Sequence, residues 1–231
     1  YVYSIDLEGF RNAGTHTVTV ESVVIYDAQG NDVTGNYGLS YESGNLIINK
    51  AVLTVNATAE TITYGESAVG SYTYSGTLYG SDEFTGSLAI NGNMNSQNTL
   101  YAAGTARFEI GSLAISDGNG GNNYKVTFNG ADLTINAKEI SLSAVEIQDK
   151  VYDGITDAKV LSAMVSGMIS GDKLSVVTSG AEASFVSKNA GENIQVNASG
   201  FTLEGVDKGN YILKSGSFVT SANISKANLS I

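Results

Sequence analysis

Thirteen tyrosines, one histidine and two clusters of oxygen-bearing turn residues are the side chains through which this chain could do chemistry. His16, in Gly14-Thr15-His16-Thr17-Val18, would have to act as a base beside an activated serine in a Ser/His/Asp reading. No Gly-x-Ser-x-Gly elbow supplies one. Glycosidic acid–base work needs two carboxylates flanking one bond. Asp82 with Glu83, and Asp6 with Glu8, are close only in sequence, and nothing places either pair across a cleft. Catalysis is therefore not expected. Asp27, Asn31 and Asp32 in one turn, and Asp117, Asn119 and Asn122 in another, form candidate calcium sets, because that ion takes oxygen ligands from such turns. No glutamate closes either set as in an EF-hand, and Asn, Asp and Gly are also turn formers that tolerate positive φ. The turn reading is preferred, and no other cofactor is expected. Tyr72, Tyr74, Tyr79 and Tyr101, near glycine-rich loops, are candidate ligand residues that could stack on sugar rings. Alternation puts Tyr72 and Tyr74 on one strand face, where cross-strand packing accounts for them equally well.

The composition narrows the partners. Twelve basic residues stand against 23 acidic ones, and a net charge of -11 repels phosphate, so nucleic acid is excluded. A hydrophobic share of 42% can build sheet cores and argues against disorder. The absence of cysteine excludes thiolate catalysis and cysteine zinc sites. With no proline, turns rest on the 27 glycines and on Asn, Asp and Ser. No apolar run approaches the roughly 20 residues needed to cross a bilayer, and no basic-then-apolar leader opens the chain. We therefore expect no membrane contact, a monomer, and an excerpt of a longer exported protein.

A repeat sets the organisation. Tyr37, Tyr124 and Tyr211, each preceded by Asn, are 87 residues apart, and Tyr64 recurs as Tyr152 after 88. Ala13-Gly14-Thr15, Ala103-Gly104-Thr105 and Ala190-Gly191-Glu192 keep the same beat; the positions matching His16 are Ala106 and Asn193, so the repeats do without a histidine. Lys50, Lys138 and Lys226, 88 apart, mark repeat starts. Residues 1–49 are then the C-terminal half of a first repeat, 50–137 and 138–225 are complete repeats, and 226–231 begin another. About 88 residues suffice for a small core, and joints without Gly or Ser tracts favour a stiff, elongated rod of such units.

Within each repeat the pattern is that of strands. Apolar and polar residues alternate at 124–128, 133–135 and 140–144, and further β-rich runs at 17–26, 71–79, 106–115, 174–178 and 193–203 are divided by Gly, Asn and Asp clusters. Residues 157–168 read as strand plus loop, because Val160, Val165 and Gly167 disfavour a helix. The expected class is all-β, made of tandem small antiparallel domains of sandwich or meander type. The recurring Tyr37, Tyr124 and Tyr211 at strand starts suit buried rings with hydroxyls bonded to backbone, as in tyrosine corners.

Lys150-Val-Tyr152-Asp153-Gly154-Ile-Thr156, then Ser170-Gly171-Asp172, Lys188-Asn189-Ala190-Gly191 and Gly209-Asn210-Tyr211, make residues 138–225 resemble the YDG repeat domains of bacterial filamentous-haemagglutinin-like adhesins. Residues 50–137, with Thr63-Tyr64-Gly65-Glu66, Ala103-Gly104-Thr105 and Asn123-Tyr124, resemble the related mostly-beta, glycine-rich domains of YGX type. A proline often follows the Tyr-Gly element in that family, where this chain has Ser67-Ala68. The resemblance implies a repeated extracellular or cell-surface module with no catalytic residue. The expectation is a stalk whose partners are neighbouring repeats. The alternative is a module that binds host glycan or surface protein weakly and gains strength from repetition.

Overall fold

The computed structural model describes residues 2–4 and 9–230. They are almost entirely strand and turn; the helical elements among them are two 3-10 turns, Thr34–Asn36 and Lys208–Asn210, each running into an Asn-Tyr tyrosine. Residues 157–168 form strands Asp157–Ala158 and Val160–Ser166, as their β-branched residues require. The chain divides into two compact units, and their borders are not those of the sequence repeats.

The first unit comprises Tyr1–Thr58, Gly70–Ala89 and Glu109–Ala131. Strand Ala51–Ala57 is central to a three-stranded sheet, parallel to Tyr124–Asn129 and antiparallel to Tyr72–Ser75. Its alternation shows at the start: Leu53 and Val55 are fully buried, Val52 just before them is exposed, and Thr54 between them is half-buried. Leu53, Ile115 and Tyr124 form the core, with Ala51, Leu78 and Phe84 against it. Pairs Glu83–Thr85 with Ala114–Ser116, Gly14–Val18 with Gly44–Ile48, and Val2–Ser4 with Ser22–Val24 are antiparallel. The turn after Tyr72–Ser75 needs glycine: Gly76 has φ +102, and a Cβ there would sit 2.4 Å from the Val52 carbonyl.

The second unit comprises Ala59–Val69, Ile90–Phe108 and Asp132–Ile231. A four-stranded sheet runs in the order Glu60–Thr63, Asp132–Asn136, Gly104–Glu109, Ala89–Asn91. A three-stranded sheet places Lys138–Ile147 between Val160–Ser166 and Tyr211–Leu213. A five-stranded sheet runs Lys150–Val151, Ser217–Ser225, Gly191–Ser199, Glu182–Phe185, Asp157–Ala158. Val145, Ile147, Phe185, Val196, Ala198, Phe201, Ala222 and Ile224 make its largest core.

Equivalent pairings recur with the period of the sequence. Tyr124 lies beside Ala51 and Tyr211 beside Lys138, both in parallel pairs; Leu133 beside Glu60 and Ile224 beside Lys150 repeat a second parallel pair. The sheets are therefore mixed, because each repeat returns its last two strands to lie alongside its first ones. Parallel neighbours cannot be joined by a hairpin, and the long crossovers carry the loops that meet below. Residues 50–137 give 50–58, 70–89 and 109–131 to the first unit and 59–69, 90–108 and 132–137 to the second, so each unit draws on two successive repeats.

Phe185 is 2% exposed in the largest core. Phe185→Ala is expected to destabilise the second unit by about 3–5 kcal/mol through the cavity it leaves, read as a lowered denaturant midpoint with folded-state circular dichroism retained.

Candidate functional site

The most heavily hydrogen-bonded buried polar group lies in the second unit, around Asp172. Tyr64, Asn95, Asp172, Asp207, Asn210 and Tyr211 are all at most 7% exposed. Tyr64 is delivered by strand Glu60–Thr63: the parallel pairing with Asp132–Asn136 continues one step further, where the Tyr64 N–H donates to the Asn136 carbonyl at 2.8 Å. Gly65 turns the chain immediately afterwards with φ +95, a conformation glycine adopts without strain. Tyr211 opens its strand straight from the 3-10 turn Lys208–Asn210. Asn95 sits in the loop closed by the Met94–Tyr101 bridge and holds that loop itself, its side-chain carbonyl accepting from the Thr99 N–H at 3.0 Å.

These groups converge on one carboxylate. Asp172 Oδ2 accepts the Tyr64 hydroxyl at 2.7 Å and the Tyr211 hydroxyl, and Oδ1 accepts Asn95 Nδ2 at 3.0 Å. Each phenol oxygen is in turn an acceptor, Tyr64 from Asn95 Nδ2 at 3.1 Å and Tyr211 from the Ile169 N–H at 3.0 Å. The two rings meet edge to face with centroids 5.4 Å apart. Beside them Asp207 accepts the Ser96 N–H at 2.8 Å, the Ser96 hydroxyl at 2.6 Å and the Lys173 N–H at 2.8 Å. Asn210 Oδ1 accepts the Ala103 N–H at 2.8 Å, and Gln97 Nε2 donates to the Gly171 carbonyl. Among the described residues no buried side-chain polar atom lacks a partner.

Burial first, and the Asp172 bond second, push the Tyr64 phenol up to about 12; the same two causes raise Tyr211. Both therefore remain hydroxyl donors at any ordinary pH. Burial also pushes the Asp207 carboxyl up, but the bonds from Ser96 and Lys173 outweigh it and hold the group below the usual carboxylate range. Residues 59–103 thus supply Tyr64, Asn95, Ser96 and the Ala103 N–H, and residues 169–211 supply both carboxylates with Tyr211 and Asn210: the cluster is the contact of one repeat with the next.

Half of this arrangement recurs in the first unit. Tyr124 is buried, donates its hydroxyl to Asp82 and accepts the Tyr79 N–H at 2.9 Å, while Asn123 Oδ1 accepts the Ala13 N–H at 2.8 Å. Burial, then Asp82, raises this phenol too. Tyr124 and Tyr211 thus take a backbone N–H at the hydroxyl, as expected of a tyrosine corner, and also give their proton to a carboxylate. Tyr37 departs from the expectation of a buried ring: the residue is 56% exposed. Tyr152 is 42% exposed although its N–H donates to the Ser225 carbonyl at 2.9 Å, the same anchorage as Tyr64.

The other candidates fall as follows. His16 donates Nε2 to the Asn12 carbonyl at 2.7 Å and tilts against Phe10. Asp6 and Glu8 lie outside the described residues. Asp27 accepts the Gln29 and Asn31 N–H groups and the Asn31 amide, and Asp32 accepts the Thr34 N–H and hydroxyl. Asp117 accepts the N–H groups of Asn119, Gly121 and Asn123, while Asn122 bonds back to the Asn119 carbonyl. A cation at either turn would have to displace those donors, and among the described residues no group of three or more His, Cys, Asp or Glu could hold a metal. Tyr72 and Tyr74 both lie edge-on to Phe84, Tyr79 is 62% exposed, and Tyr101, which belongs to the second unit, donates to the Ile90 carbonyl.

Sequence reasoning placed Lys150 in the Tyr-Asp-Gly motif but missed its role: its Nζ donates to both Asp153 oxygens and to the carbonyls of Ile155 and Asp157, and lies over the Phe185 ring. The Lys-Val-Tyr-Asp-Gly-Ile stretch is thus a turn pinned by its own lysine, which lowers the Asp153 carboxyl. Residues 136–218, bounded by that turn's repeat, match the YDG domain family. A YDG domain is found at residues 136–218. Asp172, Asp207 and Tyr211 all belong to it, and Tyr64 and Asn95 reach it from the preceding repeat. No curated protein and no solved structure matches the chain.

Tyr64→Phe removes one donor from a buried carboxylate and is expected to cost about 1–3 kcal/mol, measured by chemical denaturation. Because folding raises the Tyr64 phenol, its share of stability is complete below the free tyrosine value of about 10 and is lost as pH rises through about 12. An alkaline titration should show tyrosinate absorbance and unfolding together in that window, and Tyr64→Phe should shrink the coincident step.

Proposed function

We propose that this chain is a run of structural repeats from the stalk of a large secreted or cell-surface bacterial adhesin, and that its work is holding one repeat against the next. What carries this reading is the placement of its best-buried polar side chains. Tyr64, Asn95 and Ser96 of one repeat spend their bonds on Asp172 and Asp207 of the next, and Ala13 meets Asn123 in the same way. Asp172, 7% exposed and already met by three donors, is occupied in holding the two repeats together. The YDG domain at 136–218 supports the same reading through the adhesin repeats that the motifs resemble, and the Tyr-Gly repeat before it fits the glycine-rich relatives. Fixed joints without flexible linkers suit a spacer that holds a distal part away from its origin.

A second reading rests on one observation: Tyr74, edge-on to Phe84, is 48% exposed and Tyr79 is 62% exposed, faces on which a sugar ring could stack. The two readings separate in solution. The stalk reading expects small-angle scattering to give a radius of gyration well above the ~17 Å of a single compact body of this length, with no capture on a glycan or host-matrix array by multivalent display. A compact profile, or competable binding lost in Tyr74→Ala and Tyr79→Ala, would favour the module that binds.

A further inference from the structure

Three Asn-Gly pairs occur in the chain, Asn91-Gly92, Asn119-Gly120 and Asn129-Gly130, and in each the glycine nitrogen is within reach of the preceding side-chain amide carbon by backbone rotation. Closing that ring takes the peptide out of the extended conformation, which a strand resists and a glycine-rich turn does not. Two of the pairs are tied down. Asn91 ends strand Ala89–Asn91, and a Cβ on Gly92 would come within 2.6 Å of the Ala106 Cβ, so this glycine is packed against the neighbouring strand. Asn129 ends strand Tyr124–Asn129 in register with Asn56, to which its amide donates at 2.8 Å.

Asn119-Gly120 is placed differently. It lies in the turn between strands Ala114–Ser116 and Tyr124–Asn129, where Gly118, Gly120 and Gly121 all have positive φ and the space around Gly120 is open, the Asn122 amide being 3.7 Å from where its Cβ would stand. Asp117 accepts the N–H groups of Asn119 at 2.8 Å and Gly121 at 2.7 Å, and no acceptor among the described residues takes the Gly120 N–H between them. The Asn119 amide also has a structural task. Its Nδ2 donates at 2.9 Å to Asn123 Oδ1, the atom that accepts the Ala13 N–H of the preceding repeat, while Asn123 Nδ2 donates to Asn12 Oδ1 at 3.2 Å. The matching bond one repeat later, from the Ala103 N–H to Asn210 Oδ1, follows the stretch Glu204-Gly-Val-Asp207, which holds no Asn-Gly pair.

We propose that Asn119 is a site of spontaneous deamidation whose product loosens the contact of Asn123 with Ala13. The Gly120 nitrogen gives its proton to hydroxide and attacks Asn119 Cγ; the Cγ–Nδ2 bond breaks, and the amide nitrogen takes a proton from water and leaves as ammonia. Water then opens the cyclic imide at either carbonyl to leave aspartate or isoaspartate, so that one water is consumed and one ammonia released. Either product is a carboxylate where a donor stood. It confronts the Asn123 side-chain oxygen and adds a second charge beside Asp117, so the oxygen that Ala13 uses meets repulsion in place of a hydrogen bond. The isoaspartate form also lengthens the main chain by one carbon inside the turn that Asp117 spans. The reaction is independent of what the repeats hold or bind.

The test holds the whole chain at neutral and at mildly alkaline pH in heavy-oxygen water and maps its peptides by mass spectrometry. Heavy oxygen should enter at Asn119 several-fold faster than at Asn91 or Asn129, and faster at the higher pH, because the Gly120 nitrogen attacks without its proton. In urea, where sequence alone counts, the three pairs should react alike, so their difference in the folded chain reads the structure. In the modified fraction, hydrogen exchange at the Ala13 N–H should quicken roughly fivefold, the protection that an ordinary hydrogen bond gives, while the Ala103 N–H keeps its rate. Asn119→Asp should reproduce the Ala13 change at once, with circular dichroism checking its fold. No label at Asn119 while the urea sample reacts, equal rates at the three pairs in the folded chain, or an unchanged Ala13 in both the modified chain and Asn119→Asp would each overturn the proposal.

Discussion

A carboxylate taken out of water must be met by donors, and Asp172 makes this the condition on which the second unit's architecture rests. At 7% exposure it cannot rely on solvent, and the donors that satisfy it are spread over three stretches: Tyr211 of its own repeat, and Tyr64 and Asn95 of the preceding one. Each donor must be fixed by other structure to arrive. Tyr64 depends on the parallel pairing of Glu60–Thr63, Tyr211 on the 3-10 turn before it, and Asn95 on a loop that its own carbonyl closes. A fully connected network of this kind specifies one arrangement, since partial satisfaction of a buried charge costs more than an apolar contact would.

The same condition accounts for compact units that ignore the repeat boundaries. A repeat could bury its sheets alone, but its first tyrosine, set at the end of a short strand paired with its last one, points toward the next repeat. In residues 50–137 the segment 59–69 and the strand Asp132–Asn136 go with the following unit for this reason, while Ala51–Ala57 and Tyr124–Asn129 stay with the preceding one. Sequence period and contact boundary therefore differ by the segments 59–69, 90–108 and 132–137.

Much of the fold was legible in the sequence. The alternation at 124–128, 133–135 and 140–144 marks strands because period-two patterning has one physical solution when one face is buried. Their partners were less legible: parallel pairs such as Tyr124 beside Ala51 join residues far apart in the chain and leave no local mark. Tyr124 and Tyr211 were visible as recurring landmarks, yet their hydrogen-bond partners were not, because Asp82 and Asp172 recur 90 residues apart, amid loops whose other residues change freely. Tyr37 shows the limit from the other side: an identical Asn-Tyr landmark is exposed at 56%, since burial depends on what closes over the ring and not on the ring's own neighbours in sequence.

The Tyr-Gly and Tyr-Asp-Gly forms of the turn are two local solutions to one task, presenting a tyrosine at the end of a short strand. In the first, Glu66 reaches back to the Thr63 N–H at 2.6 Å while its own N–H bonds the Thr63 carbonyl, so the turn closes on itself. In the second, Asp153 accepts the Ile155 N–H and is clamped by Lys150, which also ties down the carbonyls of Ile155 and Asp157. The acid moves from two residues after the tyrosine to one, and the glycine moves the other way, from Gly65 to Gly154, each at positive φ. The backbone anchor is unchanged: Tyr64 and Tyr152 each donate their N–H to the strand that ends the repeat. What is common to both forms is therefore the backbone anchor of the tyrosine; what its ring meets differs, Tyr64 being fully buried and Tyr152 exposed.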